Sequence, residues 1–255
     1  QVAGLATELL SKLSDEQVGA LSSTQARAIT TNNMTALTTG QIQALNTSVV
    51  ANLTTDQIGG LNSNQIAALT TTQTSKLTTG QLVALSTAQA SKLTAEQLTA
   101  LSVTQLQSIE SVDFAALSTS ALAGISGQQF KNVSTLQISA LSSAQATKLT
   151  TEQMAAITTA QLGAMSKFNL TRLSAEQLQA LSNTNVAAMD TAQVSRLTTS
   201  QISSLTTSQI RALTTSQVSK LTNEQVKSLT ADQVKAITVG QKAALVAAGK
   251  TLPTI

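Results

Sequence analysis

An apolar residue recurs every eight residues through residues 5–245, with no insertion or deletion. Leu, Ile, Val or Met fills each of these 31 positions, which we call anchors. The next residue is Ser, Thr, Asn or Asp at 28 of 29 positions in residues 14–238, and three residues later Gln fills 24 of 31 positions in residues 1–241. A second apolar residue follows, as in the octad LTTSQIRA at residues 205–212. Such a short, unbroken period predicts a repeat architecture.

Each octad carries a signal for the start of a helix. A Ser or Thr followed three residues later by Gln is a capping box, in which the hydroxyl and the Gln side chain each bind a backbone N–H of the first turn. The second apolar residue and the next anchor, such as Ile202 and Leu205, are three apart and share one helical face. All 12 acidic residues lie between cap and Gln, and 12 of 15 basic residues lie in the two positions before an anchor. The helix dipole favours this sorting, so we predict a short helix in each octad.

A single long helix does not fit this period. Eight residues advance an α-helix by two turns plus about 80°, so the apolar stripe would wind around the helix and no partner could cover it. The chain must therefore bend at each cap. We predict an all-α solenoid of short one-to-two-turn helices, one per eight-residue repeat, of either hand. A β-solenoid or cross-β fibre is the alternative fold.

Basic residues on a 24-residue spacing indicate how many octads form one coil. The residues on this phase are Lys76, Lys148, Arg172, Arg196 and Lys220. Three octads per coil would align them as a stripe, so we expect about three repeats per coil, with two or four as alternatives. This stripe is the candidate polymer-binding site, and its other interpretation is a solvated face that matches the helix dipoles.

The domain organisation follows the array. We predict a single octad-repeat solenoid over residues 1–245, with residues 246–255 as the C-terminal end of the array. The repeats are degenerate over residues 110–137, where Glu110 replaces the cap and Asp113 replaces Gln. We interpret this segment as drifted repeats rather than as a contact patch.

The composition excludes several kinds of chemistry. The chain has no Cys and no His, which rules out disulfides, Cys/His zinc sites and Ser-His-Asp triads. The acidic residues are expected at helix starts, and are not paired in a cleft as acid–base catalysis requires. No stretch reaches the roughly 18 apolar residues of a membrane span, and the net charge is only +3. We expect no enzyme activity, cofactor, metal, small-molecule substrate or membrane span.

Two segments carry a resemblance to known proteins. LTTGQIQALN at residues 37–46 and LTTEQMAAITTAQLGAM at residues 149–165 resemble short Leu/Thr/Gln tandem repeats of large bacterial secreted and cell-surface proteins, including adhesin-like chains. This resemblance covers nearly the whole chain and implies an exported stalk, matrix or adhesion role. LTADQVKAIT at residues 229–238 is similar to the start of the DNA-reading repeats of transcription-activator-like effectors. Those repeats are several times longer and carry a base-reading pair, so we interpret that likeness as a shared helix-start pattern.

The expected function is structural. We predict a rod, stalk or filament segment at the bacterial cell surface or in the extracellular matrix, with an adhesive role implied by the resemblance. The expected partners are further copies of the chain, joined end to end or as a homo-oligomer, and a cell-surface or matrix polymer. The alternative is a solenoid module that binds nucleic acid or acidic polysaccharide through the Lys/Arg stripe.

Overall fold

The computed structural model describes residues 7–254, and it describes the side chains of residues 9–254. Thirty short α-helices and no β-strand lie in this described part. All have four to six residues except the last, which has nine. The structure therefore confirms the all-α prediction, and the β-solenoid alternative is wrong.

The chain divides into two compact units, and the N-terminal unit is Gln1–Ile125. Its helices, in chain order, are α1 (Thr7–Leu10), α2 (Asp15–Gly19), α3 (Ser23–Arg27), α4 (Thr31–Met34), α5 (Thr39–Ala44), α6 (Thr47–Asn52), α7 (Thr55–Gly60), α8 (Ser63–Ala68), α9 (Thr71–Thr74), α10 (Thr79–Val83), α11 (Thr87–Ala90), α12 (Ala95–Ala100), α13 (Val103–Ser108), α14 (Ser111–Ala116) and α15 (Thr119–Ala123).

The C-terminal unit is Ser126–Ile255, and the boundary between the units falls within the degenerate repeats. Its helices are α16 (Gly127–Phe130), α17 (Thr135–Ala140), α18 (Ser143–Lys148), α19 (Thr151–Ala156), α20 (Thr159–Ala164), α21 (Lys167–Leu170), α22 (Ala175–Gln179), α23 (Asn183–Ala188), α24 (Thr191–Arg196), α25 (Thr199–Ser204), α26 (Thr207–Ala212), α27 (Thr215–Ser219), α28 (Asn223–Lys227), α29 (Ala231–Ala236) and α30 (Val239–Ala247).

The helices are short because each octad ends one helix and starts the next. The cap residue has an extended backbone, as at Thr38 (φ −70°, ψ 163°), and its hydroxyl accepts a hydrogen bond from the Gln41 N–H. At the other end of α5, the anchor Leu45 is again non-helical (φ −56°, ψ 132°). An anchor and a cap in succession therefore turn the chain out of the helix, and the predicted bend lies at the predicted position.

Within each unit, every helix packs on a helix three positions away in the chain, which confirms about three repeats per coil. Within each unit these contacts build three columns of five stacked helices. In the C-terminal unit the columns are α16, α19, α22, α25 and α28; α17, α20, α23, α26 and α29; and α18, α21, α24, α27 and α30. We call them the α16, α17 and α18 columns. Stacking of this kind makes each coil depend on its neighbours for stability.

The core consists of the two apolar rows of each octad. From Met34 through Leu229 the anchors and second apolar residues are buried almost throughout. Within the degenerate repeats, Phe114 and Phe130 occupy the second apolar position of their octads and have no exposed surface. The interior of each unit therefore accepts a larger side chain at this position. Leu136 departs from the pattern at a polar position and lies on the surface, 71% exposed.

Candidate functional site

The interior Gln of each octad makes two kinds of contact. In α26 the Gln209 Oε1 accepts a hydrogen bond from the Thr206 N–H (3.0 Å), and the Thr206 Oγ1 accepts one from the Gln209 N–H (3.1 Å), which is the predicted capping box. The Gln209 Nε2 donates to the carbonyls of Leu178 (2.8 Å) and Leu181 (2.9 Å) in the preceding coil. The side chain is 2% exposed, and both of its polar atoms are satisfied.

The same pair of inter-coil bonds recurs through both units. Gln105 reaches the carbonyls 30 and 28 residues earlier, and Gln193 reaches the one 31 residues earlier. In most other octads the donor Gln reaches the carbonyls 31 and 28 residues earlier in the chain. It does so at Gln41, Gln57, Gln65, Gln73, Gln81, Gln89, Gln97, Gln161, Gln177, Gln201, Gln209, Gln217, Gln225, Gln233 and Gln241. We call this repeated set of bonds the glutamine ladder.

The glutamine ladder was missed from the sequence, although a signal for it was present. A capping box accepts Glu as readily as Gln, yet no Glu occupies any of the 31 Gln positions. A carboxylate cannot donate to a carbonyl, so an amide side chain at 27 of the 31 positions, 24 Gln and three Asn, indicates a required donor. The shorter amides of Asn169 and Asn185 donate only to the nearer carbonyl, those of Leu141 and Ile157, both at 2.7 Å.

Four of the five stripe residues lie along one column of the C-terminal unit. Lys148, Arg172, Arg196 and Lys220 follow or end the helices α18, α21, α24 and α27, which stack directly on one another. All four side chains are exposed. We call them the basic row. The fifth residue, Lys76, follows α9 in the N-terminal unit.

Lys76 has no basic neighbours in its own column. Helix α9 stacks between α6 and α12, and these helices carry Asn52 and Ala100 at the equivalent position. The N-terminal unit therefore holds one exposed cation where the C-terminal unit holds a row.

The residue before each member of the basic row is a Thr or Ser whose hydroxyl is already in use. Thr147, Thr171, Ser195 and Ser219 donate to the carbonyls three residues earlier, at 2.9, 2.7, 3.2 and 2.8 Å. These bonds close the last turn of each helix. The Lys and Arg side chains are thus the free donors that this edge presents to solvent.

Two further contacts define the electrostatics around the row. The Arg172 guanidinium lies over the ring of Phe168, 4.8 Å from its centroid, and the ring is itself 58% exposed. In the described residues the one ion pair joins Lys235 to Asp232 at 3.8 Å, away from the basic row. The row therefore keeps its charge without an acidic partner inside the protein.

Glutamates begin the helices of the neighbouring α16 column. Glu152, Glu176 and Glu224 lie in the first turns of α19, α22 and α28, and all three are exposed. The pKa of the Glu176 carboxyl is lowered by a hydrogen bond from the Ser174 hydroxyl, then by one from its own backbone N–H. The pKa of Glu224 is also lowered, first by its backbone N–H. Each of these three glutamates follows a member of the basic row by four residues in the chain.

Within the described residues, no group of three or more His, Cys, Asp or Glu could hold a metal ion. The helices described here are also all too short or too polar to cross a membrane. The surface depressions are shallow; one in the N-terminal unit is lined by Thr71, Glu96, Thr99 and Gly124.

Each unit is thus an α-solenoid of octad repeats, with three octads per coil. A profile of the ALTTAQ repeat matches residues 34–71 in the N-terminal unit and residues 186–223 in the C-terminal unit. The matched segments contain ALTTGQ at residues 36–41 and ALTTSQ at residues 212–217. The chain is thus similar to ALTTAQ tandem repeats over these two segments. No match to the chain is found among curated proteins.

Proposed function

We propose that this chain is a structural repeat segment, serving as a rod, stalk or filament segment of a bacterial cell-surface or extracellular protein. The observation that carries the proposal is the glutamine ladder. Within each unit, successive coils are joined by the same buried side chain-to-backbone bonds over the same two apolar rows, so length is added coil by coil. A segment that holds two parts of a protein or assembly a fixed distance apart can be lengthened in this way by adding coils.

The surface supports a structural role rather than a catalytic one. Apart from the Gln and second apolar positions, Thr, Ser, Ala and Gly fill most positions between the caps and the anchors, and the carboxylates are spread over separate helix starts. Catalysis by acid and base needs two groups that converge on one substrate. The location at the cell surface rests on the resemblance of the repeats to those of exported bacterial proteins.

Self-association is part of the same proposal. Because the stacking surface of a coil presents the same amides and carbonyls in every coil, it is complementary to another copy of itself. Such head-to-tail contacts build linear assemblies when the rotation between copies does not close a ring.

Small-angle scattering combined with multi-angle light scattering tests this proposal on the intact chain. A compact protein of this length has a radius of gyration of about 18 Å. We expect a clearly larger value for the monomer, and a mass that rises with protein concentration. A monodisperse particle near the compact value at all concentrations would contradict the structural-segment proposal.

A further inference from the structure

We propose that the basic row of the C-terminal unit is a binding surface for a linear carboxylated polysaccharide, which lies along the α18 column. The row consists of Lys148, Arg172, Arg196 and Lys220, one cation on each of four successive coils. This binding goes beyond the structural role, because it assigns the surface a partner and leaves the stacking of the coils unchanged.

Charge is concentrated on this column more than on the other two of the unit. Besides the basic row, its octads carry Lys167 and Lys242, and Asp190 is their single acidic residue. Asp190 is the cap of α24, and its carboxylate accepts a hydrogen bond from the Gln193 N–H at 2.6 Å. The carboxylate is thus directed at its own helix start.

The spacing of the row fits a partner with sparse, regular charges. Packed helices lie about 8–10 Å apart, so the four cations recur at about that interval along the column. Two pyranose rings of an extended polysaccharide span a similar distance. A chain with one carboxylate per disaccharide therefore meets one cation per coil.

The width of the row disfavours duplex nucleic acid. Double-stranded DNA carries a charge about every 1.7 Å, and its two backbones are separated by grooves of about 6 and 12 Å. A duplex laid along the column would bring its second backbone towards the Glu152, Glu176 and Glu224 side of the coil. A single extended chain has no second backbone to bring to that side.

The aromatic content disfavours single-stranded nucleic acid as well. Such strands are bound by stacking successive bases on exposed aromatic side chains. Phe168 is the one aromatic side chain exposed on this column, and the Arg172 guanidinium already covers its face. That stacking holds Arg172 in place as a planar donor, which is suited to a bidentate bond with a carboxylate.

The test measures binding of fluorescently labelled hyaluronan oligosaccharides, long enough to span four coils, to the intact chain at about 50 mM salt. The test variant is Lys148→Gln, Arg196→Gln and Lys220→Gln combined. Its matched control, Lys131→Gln, Arg211→Gln and Lys227→Gln combined, removes two Lys and one Arg from exposed positions on the other columns of the same unit. Circular dichroism of both variants establishes that they are folded.

We expect the row variant to raise the Kd at least about tenfold and the matched control less than about threefold, because only the row lies along the bound chain. Three outcomes would overturn the proposal. One is absence of binding by the unaltered chain, and another is an equal loss in both variants, which would show a general effect of net charge. The third is tighter binding of a DNA duplex or single strand of equal length, which would make the row a nucleic-acid surface.

Discussion

The two units share one backbone plan and differ in charge and in the regularity of their repeats. The N-terminal unit has four Lys or Arg against seven Asp or Glu, a formal charge of −3, whereas the C-terminal unit has eleven against five, a charge of +6. The N-terminal unit also contains Asp113 and Ala121, where Gln is replaced by residues that cannot donate. Both units nevertheless stack their helices in the same three-column arrangement. The fold therefore depends on the buried rows, and the exposed positions are free to differ.

The largest expected effect comes from breaking the feature that the two units share. Gln81→Glu in the N-terminal unit and Gln217→Glu in the C-terminal unit each keep a capping-box residue but remove the inter-coil donor. Two buried carbonyls then lose their partner, Val50 and Leu53 in one case and Val186 and Met189 in the other. We expect each substitution to lower the free energy of unfolding of its own unit by roughly 2–5 kcal/mol.

Urea denaturation followed by far-ultraviolet circular dichroism measures this loss, since the chain has no Trp or Tyr for fluorescence. Hydrogen exchange with mass spectrometry shows which unit loses protection. The matched controls are Gln43→Glu and Gln128→Glu, at exposed positions of the two units. If the buried and exposed substitutions cost the same, the glutamine ladder does not hold the coils together.

A smaller effect, of opposite sign, is expected where the N-terminal unit departs from the pattern. Asp113 is 3% exposed, and by the 31- and 28-residue spacing a Gln there would reach the carbonyls of Leu82 and Leu85. We expect Asp113→Gln to stabilise the N-terminal unit by about 1–2 kcal/mol, because it adds two buried hydrogen bonds. Asp113→Asn should give about half of that gain, since Asn169 shows that an Asn reaches only the nearer carbonyl.

The control for this series is Asp56→Gln, which removes the same charge from an exposed position of the same unit. Thermal unfolding of the three variants ranks them by stability. Suppose that Asp56→Gln raises the stability of the N-terminal unit as much as Asp113→Gln does. The cause would then be the removal of negative charge and not the added hydrogen-bond donor.

Much of this arrangement was readable from the sequence, and the reasons are local. The corner at each cap follows from the Ser/Thr-x-x-Gln spacing within one octad, and the 24-residue phase of Lys148 to Lys220 indicated three octads per coil. The bonds of the Gln209 Nε2 could not be predicted in the same way. They depend on which carbonyls of the preceding coil face the amide. The rise and rotation from one coil to the next decide which carbonyls these are. The isolation of Lys76 was readable as well, because the same 24-residue phase places Asn52 and Ala100 on either side of it.

The smallest expected effect concerns the acid sensitivity that the units have in common. Hydrogen bonds at the helix starts lower the pKa of Glu16 and Glu96 in the N-terminal unit, and of Glu176 and Glu224 in the C-terminal unit. A carboxyl with a lowered pKa in the folded state contributes stability that is present above its unfolded pKa and lost as the pH falls through the folded value. Both units should therefore lose a little stability as the pH falls below about 4.3.

Two double variants separate the acid dependence of the two units. One combines Glu16→Gln with Glu96→Gln, and the other combines Glu176→Gln with Glu224→Gln. We expect each pair to weaken the acid dependence of its own unit while leaving the other unit unchanged, because every contact that lowers these pKa values lies within one unit. Urea midpoints measured between about pH 3 and pH 7 give the dependence. Since all four carboxyls are exposed, the change is expected to be small, and to shrink further in high salt. An acid dependence that survives in both pairs would assign it to the charge imbalance between the units instead of to their shared helix starts.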